Sequence, residues 1–193
     1  MNTSEVTPPA KKWRQYFADA QAAPNDLYYT PEYAMTYIQD AIKPFPRVWE
    51  PCCGAGHIVR YLEREGHTVF GTDIAVDPAH DLFTYAPPRE SFDIIVTNPP
   101  FTGKRRVIER FLELDVPFAM LMTTMTLNSN PVRNLLKRYG DWGILMPDKS
   151  INFIPATADG AASLVAPPKG SRSFFHSSWF TYKVPAVQGL CFV

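Results

Sequence analysis

The sequence predicts an α/β fold: a mostly parallel sheet with helices packed on both faces. Three observations predict it. From residue 28 onward, short apolar runs alternate with helix-like stretches, the pattern of βα repeats. The runs, among them "DIIVT" and "PFAMLMTT", are mostly apolar and lack strict polar alternation, as strands buried on both faces do. A glycine-containing turn, "EPCCGAGH", leads from the short strand "RVWE" into a helix. Sheets of this kind collect ligands at the carboxyl ends of their strands.

The elements follow in order. Residues 1–9 read as a loose tail, and residues 10–20 as a short amphipathic helix with Trp13, Tyr16 and Phe17 on one side. Residues 1–27 thus form an appendage to a single domain over 28–193. "YYTPEYAMTYIQDAI" predicts one helix, with Thr30 as N-cap and Pro31 at its first position. "RVWE" is a strand, and the helix after its turn runs from His57 to about Glu65, ending at Gly66. "HTVFGTDI" is the next strand, followed by a loop over 77–90. "SFDIIVTN" is the third strand, residues 104–114 an amphipathic helix and "PFAMLMTT" the fourth strand. Asn130-Pro131 opens a helix that closes at Gly140, and "WGILMP" is the fifth strand. Residues 148–172 read as irregular, and "SSWFTYKV" with "GLCFV" as a closing pair of strands.

Composition narrows the function classes. The chain has 193 residues, 46% hydrophobic and 20% charged, values of an ordinary globular domain. Nineteen Lys and Arg balance nineteen Asp and Glu, so any nucleic-acid contact must come from a local patch rather than a bulk field. Three Cys, two adjacent as Cys52-Cys53, make no disulfide framework and fit a reducing, cytoplasmic setting. No apolar run approaches the roughly 20 residues that span a bilayer, and the N-terminus lacks a secretory h-region. His and Cys are too scattered for a zinc site, so no metal is expected.

Chemistry concentrates at the strand tips. The turn Gly54-Ala55-Gly56-His57-Ile58-Val59 lacks the third glycine of a dinucleotide fingerprint, and Glu50 upstream would repel a pyrophosphate. A nucleoside with a cationic amino-acid tail, such as S-adenosylmethionine, suits it better; a tight turn without a ligand is the competing account. Asp73 lies about 20 residues beyond the turn, where βαβ units place a ribose-binding acid. Then comes "FDIIVTNPPF". The amine of adenine is a weak nucleophile because its lone pair is delocalised into the ring. The Asn98 side-chain oxygen and the Pro99 carbonyl are two acceptors that favour its more tetrahedral, charge-developing transition state. Pro99 and Pro100 hold the acceptors rigid, and Phe101 offers a face for a planar base.

In these residues the chain resembles the amino-group (N6-adenine type) S-adenosylmethionine-dependent methyltransferases, in their gamma-class motif order. The helix of "TPEYAMTYI" comes first, then "EPCCGAGH", "GTDI", "DLF" and "NPPF". The resemblance implies a Rossmann-like class I methyltransferase fold with antiparallel C-terminal strands. It implies that Thr30 and Pro31 flank the methionine end of the cofactor. Glu50, Pro51, Gly54 and Gly56 would cradle its amino-acid part, and Asp73 with Ile74 its ribose. Asp81, Leu82 and Phe83 would hold its adenine, and Asn98 would sit between cofactor and target amine. "ILMPDKSINFI" and "PPKGSRSFFHSSWF" resemble the ends of small phage and mobile-element DNA adenine methyltransferases. A cytoplasmic enzyme of a bacterium or phage-infected cell is implied.

The expected partner is nucleic acid, DNA before RNA. Phe101, Lys104, Arg105, Arg106, Lys169 and Arg172 are the expected contacts. Less than half the chain follows Phe101, too little for a separate target-recognition domain, so readout falls to short loops or a partner subunit. RNA adenine methylation, protein glutamine methylation and a non-catalytic methyltransferase-like subunit stay open. Phe rather than Tyr after Asn-Pro-Pro favours a nucleobase over glutamine.

Overall fold

A computed structural model describes residues 28–101, 103–155 and 176–193 of the chain. The expected helix over residues 10–20, and Lys169 and Arg172, lie outside them. The strands are β1 (Tyr28–Tyr29), β2 (Arg47–Glu50), β3 (Thr68–Gly71), β4 (Ile94–Thr97) and β5 (Phe118–Thr123). After these come β6 (Trp142–Met146), β7 (Ile154–Pro155), β8 (Ser177–Tyr182) and β9 (Gly189–Phe192). The helices are α1 (Glu32–Thr36), α2 (Gln39–Ile42), α3 (His57–Arg64), α4 (Lys104–Leu114) and α5 (Asn130–Arg138).

A seven-stranded sheet runs in the order β3-β2-β4-β5-β8-β6-β9. β2, β3, β4 and β5 are parallel, while β8 runs antiparallel to both β5 and β6. β9 pairs parallel with β6. The expected α/β class with a mostly parallel sheet therefore holds. The two last strands, however, do not pair with each other: β6 lies between them. The reason is burial. All six residues of β8 are buried, whereas three of the four in β9 are exposed. The central place goes to the strand with two apolar faces and the edge to the other.

The two faces can be read residue by residue, since successive strand side chains point to opposite sides. Val48, Ile94, Val96, Ala119, Leu121 and Trp179 face one core with α1, α2 and α3. Trp49, Ile95, Phe118, Met120, Met122 and Phe180 face the other with α4 and α5. Each fully buried aliphatic or aromatic side chain here contributes about 1.5–3 kcal/mol. The Trp179 indole N–H donates to the Ala34 carbonyl at 2.9 Å, so the large ring enters the core without an orphaned donor.

Two local expectations shift. The single predicted helix after Thr30 is two short ones, divided at Tyr37-Ile38. Thr36 Oγ1 donates back to the Tyr33 carbonyl at 2.8 Å, and such back-bonding competes with the helical ladder. Helix α1 begins at Glu32 with Pro31 in the N-cap position and no side-chain cap; Thr30 is buried instead. Within residues 148–155, expected to be irregular, β7 pairs antiparallel with β1. This small sheet brings Phe153 over the strand tips.

Candidate active site

The carboxyl ends of β2, β3, β4 and β5 lie at one end of the sheet, and β8 starts there, with Ser177 opposite Thr123. A cleft opens at this end. Its space, counting the part open to solvent, is about 660 Å³.

The turn after β2 forms one wall, through Cys52, Cys53 and Gly54. Gly54 and Gly56 have φ of +48° and +75°, conformations that L side chains rarely adopt. The turn is fixed from two sides. Asp73 takes the Gly54 N–H on Oδ2 and the Ala75 N–H on Oδ1, each at 2.8 Å. Glu50, fully buried beneath the turn, takes the Cys52 N–H on Oε1 at 3.0 Å and the Thr97 hydroxyl on the same atom at 2.5 Å. Its Oε2 is buried without a partner among the described residues. Burial is the main cause that pushes the Glu50 carboxyl up to about 8, against the bonds from Thr97 and Cys52. Burial thus favours the neutral acid at this position.

The glycine missing from the dinucleotide pattern has a counterpart on the strand. A Cβ at Gly71 would stand 2.9 Å from Val59 Cγ2 of α3. The close strand-to-helix approach is thus made by the strand residue. The sequence shows this only as the Gly in "VFGTD".

The opposite wall is the segment after β4: Asn98, Pro99, Pro100 and Phe101. Asn98 Oδ1 is buried and has no hydrogen-bond partner among the described residues. A buried amide oxygen left open costs roughly 1–3 kcal/mol and is an acceptor for a donor brought by a ligand. Phe101 packs edge-on against Phe153, ring centroids 5.8 Å apart at 74°. Phe153 is itself held in place, because the neighbouring Asn152 N–H donates to Tyr33 Oη at 2.6 Å.

Of the expected site residues, Thr30, Gly54, Asp73, Asn98, Pro99, Pro100 and Phe101 line this one cleft. Glu50 sits beneath it. Pro31, Pro51, Gly56, Ile74, Asp81, Leu82 and Phe83 are not among its lining residues. Asp81 Oδ1 accepts the Phe83 N–H at 3.0 Å, shaping that loop. The basic run after the cleft is engaged within the chain. Lys104 Nζ reaches Thr123 Oγ1 at 3.4 Å, Arg105 pairs with Glu109 at 2.8 Å, and the Arg106 guanidinium lies 4.9 Å over the Phe83 ring.

Five further residues line the cleft: Tyr29, Cys52, Cys53, His57 and Ile58. Tyr29 and His57 stack at 4.9 Å. Tyr29 lies next to Thr30 in sequence, which is the one signal that pointed to it. Burial, then the nearby Arg60, holds the His57 imidazole below its ordinary value, so it is a neutral wall group. The Cys53 thiol is raised to about 11, chiefly by burial, which makes it a poor nucleophile. Among the described residues no group of three or more His, Cys, Asp or Glu could hold a metal ion, and no helix is long and apolar enough to cross a membrane.

No family model and no curated protein matches the sequence. Solved structures do match in shape. The plantazolicin methyltransferase BpumL, in complex with a triazolic desmethylPZN analog and SAH, superposes with a TM-score of 0.51 at 10% identity, over 90% of this chain and 92% of that one. The fold is that of the class I methyltransferases. A modification subunit assigned to a type I restriction enzyme from Vibrio vulnificus gives 0.49 at 15% identity over 93% of this chain. The chain spans only 49% of that subunit. The E. cuniculi Mtq2-Trm112 complex, responsible for methylation of the eRF1 termination factor, gives 0.46 at 17% identity, over 80% of this chain and 96% of that one.

Proposed function

We propose that the chain is an S-adenosylmethionine-dependent methyltransferase acting on the N6 amine of adenine in DNA. The observation that carries this reading is Asn98 Oδ1: buried, unpartnered among the described residues, and on the wall of the cleft opposite the glycine turn.

The cleft fits the cofactor. An adenosyl group brings ribose hydroxyls, for which Asp73 is the acceptor at the cleft wall. Its amino-acid end has the Gly54 turn and Thr30 to rest on, with Glu50 and Pro51 underneath and Pro31 and Gly56 at the flanking helix starts. Ile74 and the loop of Asp81, Leu82 and Phe83 are the remaining contacts of the reading, for ribose and adenine. When bound, S-adenosylmethionine supplies an electrophilic methyl carbon on a sulfonium.

The chain's own residues then do three things. Asn98 Oδ1 and the Pro99 carbonyl accept the two N–H bonds of the target amine. This favours its tetrahedral, positively charging form in the transition state over the flat ground state. Pro99 and Pro100 fix the acceptors before the substrate arrives. Phe101, braced by Phe153, stacks the base. The surplus proton leaves after transfer, so no general base is required. A duplex target has to be flipped out, at a cost a single strand avoids.

Three free thiols fit a cytoplasmic site of action. For target recognition the reading keeps Phe101 with Lys104, Arg105 and Arg106 beside the cleft, Arg105 being exposed, together with Lys169, Arg172 or a partner subunit.

The test is transfer of a radiolabelled methyl group to duplex DNA, single-stranded DNA, structured RNA and a protein extract. Label on N6-methyladenine in DNA is expected. Label confined to RNA or to glutamine would replace the substrate, and no transfer to any acceptor, with or without cell extract, would overturn the enzymatic reading.

A further inference from the structure

We infer that Thr97 and Glu50 are positioning residues: their hydrogen bond fastens the target-holding tip of β4 to the cofactor-side turn of β2. This rests on the function proposed above and goes beyond it. The two walls of the cleft come from different strands, and methyl transfer needs their relative placement to be right to within a fraction of an ångström. Beyond the pairing of β2 with β4, one side-chain atom touches both. Glu50 Oε1 accepts from the Cys52 N–H in the turn and from the hydroxyl of Thr97, the residue before Asn98. Both side chains are fully buried, so water does not compete for the bond. Thr97 is β-branched and stiff at χ1, so a fixed hydroxyl also fixes the backbone that leads into Asn98.

An alternative, that the Thr97 hydroxyl merely satisfies a buried acid, makes a different prediction. Thr97→Val keeps the shape and removes the donor; Thr97→Ser keeps the donor. If the bond positions Asn98, Thr97→Val lowers kcat at least tenfold. Calorimetric Kd for S-adenosylmethionine stays within about threefold, and Thr97→Ser recovers most of kcat. Unchanged kcat in Thr97→Val, a Kd that worsens in step with kcat, or failure of Thr97→Ser to recover would each overturn the role.

A second readout does not depend on catalysis. In the free protein, the Asn98 side-chain amide resonances, assigned with Asn98→Asp, should shift or broaden in Thr97→Val and return in Thr97→Ser. Unmoved resonances overturn the positioning role even if the wild-type chain methylates nothing. Absent transfer by the wild type with the resonance shift present would instead fault the proposed reaction.

Discussion

The two walls of the cleft are built to opposite rules. On the proposed cofactor side, Asp73 and Glu50 occupy the backbone N–H groups of Cys52, Gly54 and Ala75 in the free protein. On the proposed target side, Asn98 Oδ1 is buried and left open among the described residues. The first wall resists change of shape; the second keeps an acceptor in reserve. The contrast teaches where binding energy is spent. A pre-formed turn reduces the ordering cost of binding. An open acceptor is repaid only when a donor of the right geometry meets it, which favours the transition state.

The sharpest way to break this comparison is Asn98→Ala. Transfer should fall by about 10²–10³ or more, as when one preorganised polar group is taken from an active site. Calorimetric affinity for S-adenosylmethionine should hold nearly constant. Retained turnover would mean that the open acceptor is incidental. Next in size is Asp73→Ala, which removes both the brace of the turn and the acceptor proposed for ribose. Cofactor affinity should drop by roughly 10–100-fold, the scale of losing a charged hydrogen bond or two. Wild-type affinity would show that the cofactor-side wall does not depend on its carboxylate.

How much of this was legible in the sequence follows from how local each signal is. The glycine turn, Asp73 and Asn98-Pro99-Pro100-Phe101 are short, contiguous and at strand tips, so their convergence follows once the sheet is parallel. The bond from Thr97 to Glu50 spans 47 residues and belongs to the pairing of β2 with β4, which no local pattern records. Gly71 likewise has meaning only against Val59 of α3. In the basic run "KRRVIE" the exposed Arg105 meets Glu109 one turn on, a local pairing, whereas Arg106 lies over a ring more than 20 residues back, which no local pattern records. The insertion of β6 between β8 and β9 is a matter of which strand has two apolar faces to bury. Six-residue "SSWFTY" does, yet its two serines hide this in a hydropathy scan.

Phe101→Ala probes the target wall from its apolar side. Base–aromatic stacking is worth about 1–3 kcal/mol, so kcat/KM should fall by about 5–150-fold while cofactor affinity is kept. Equal kcat and KM would deny the ring a stacking role. Phe153→Ala should follow the same direction more weakly, since it only braces the ring.

A last effect, up to about tenfold in the unfolding equilibrium per pH unit, separates the two walls by titration. Glu50 ionises near 8 in the folded protein against an ordinary value of 4.5. Below pH 4.5 both states hold the proton and Glu50 has no influence on the slope. Between 4.5 and 8 the unfolded chain releases the proton while the folded one retains it. Folding therefore loses up to about 1.4 kcal/mol per pH unit from this group. Above 8 both states are ionised and the loss stays constant. Asp93 beside Arg47 and Asp115 beside Lys183 have lowered values and act in the opposite sense at more acid pH. The useful quantity is thus the difference between wild type and Glu50→Gln in urea unfolding from pH 5 to 8. The wild type should lose stability relative to the variant as pH rises. Parallel curves would mean that the carboxyl beneath the turn is already ionised, and that the cofactor-side wall is held by charge and not by a neutral acid.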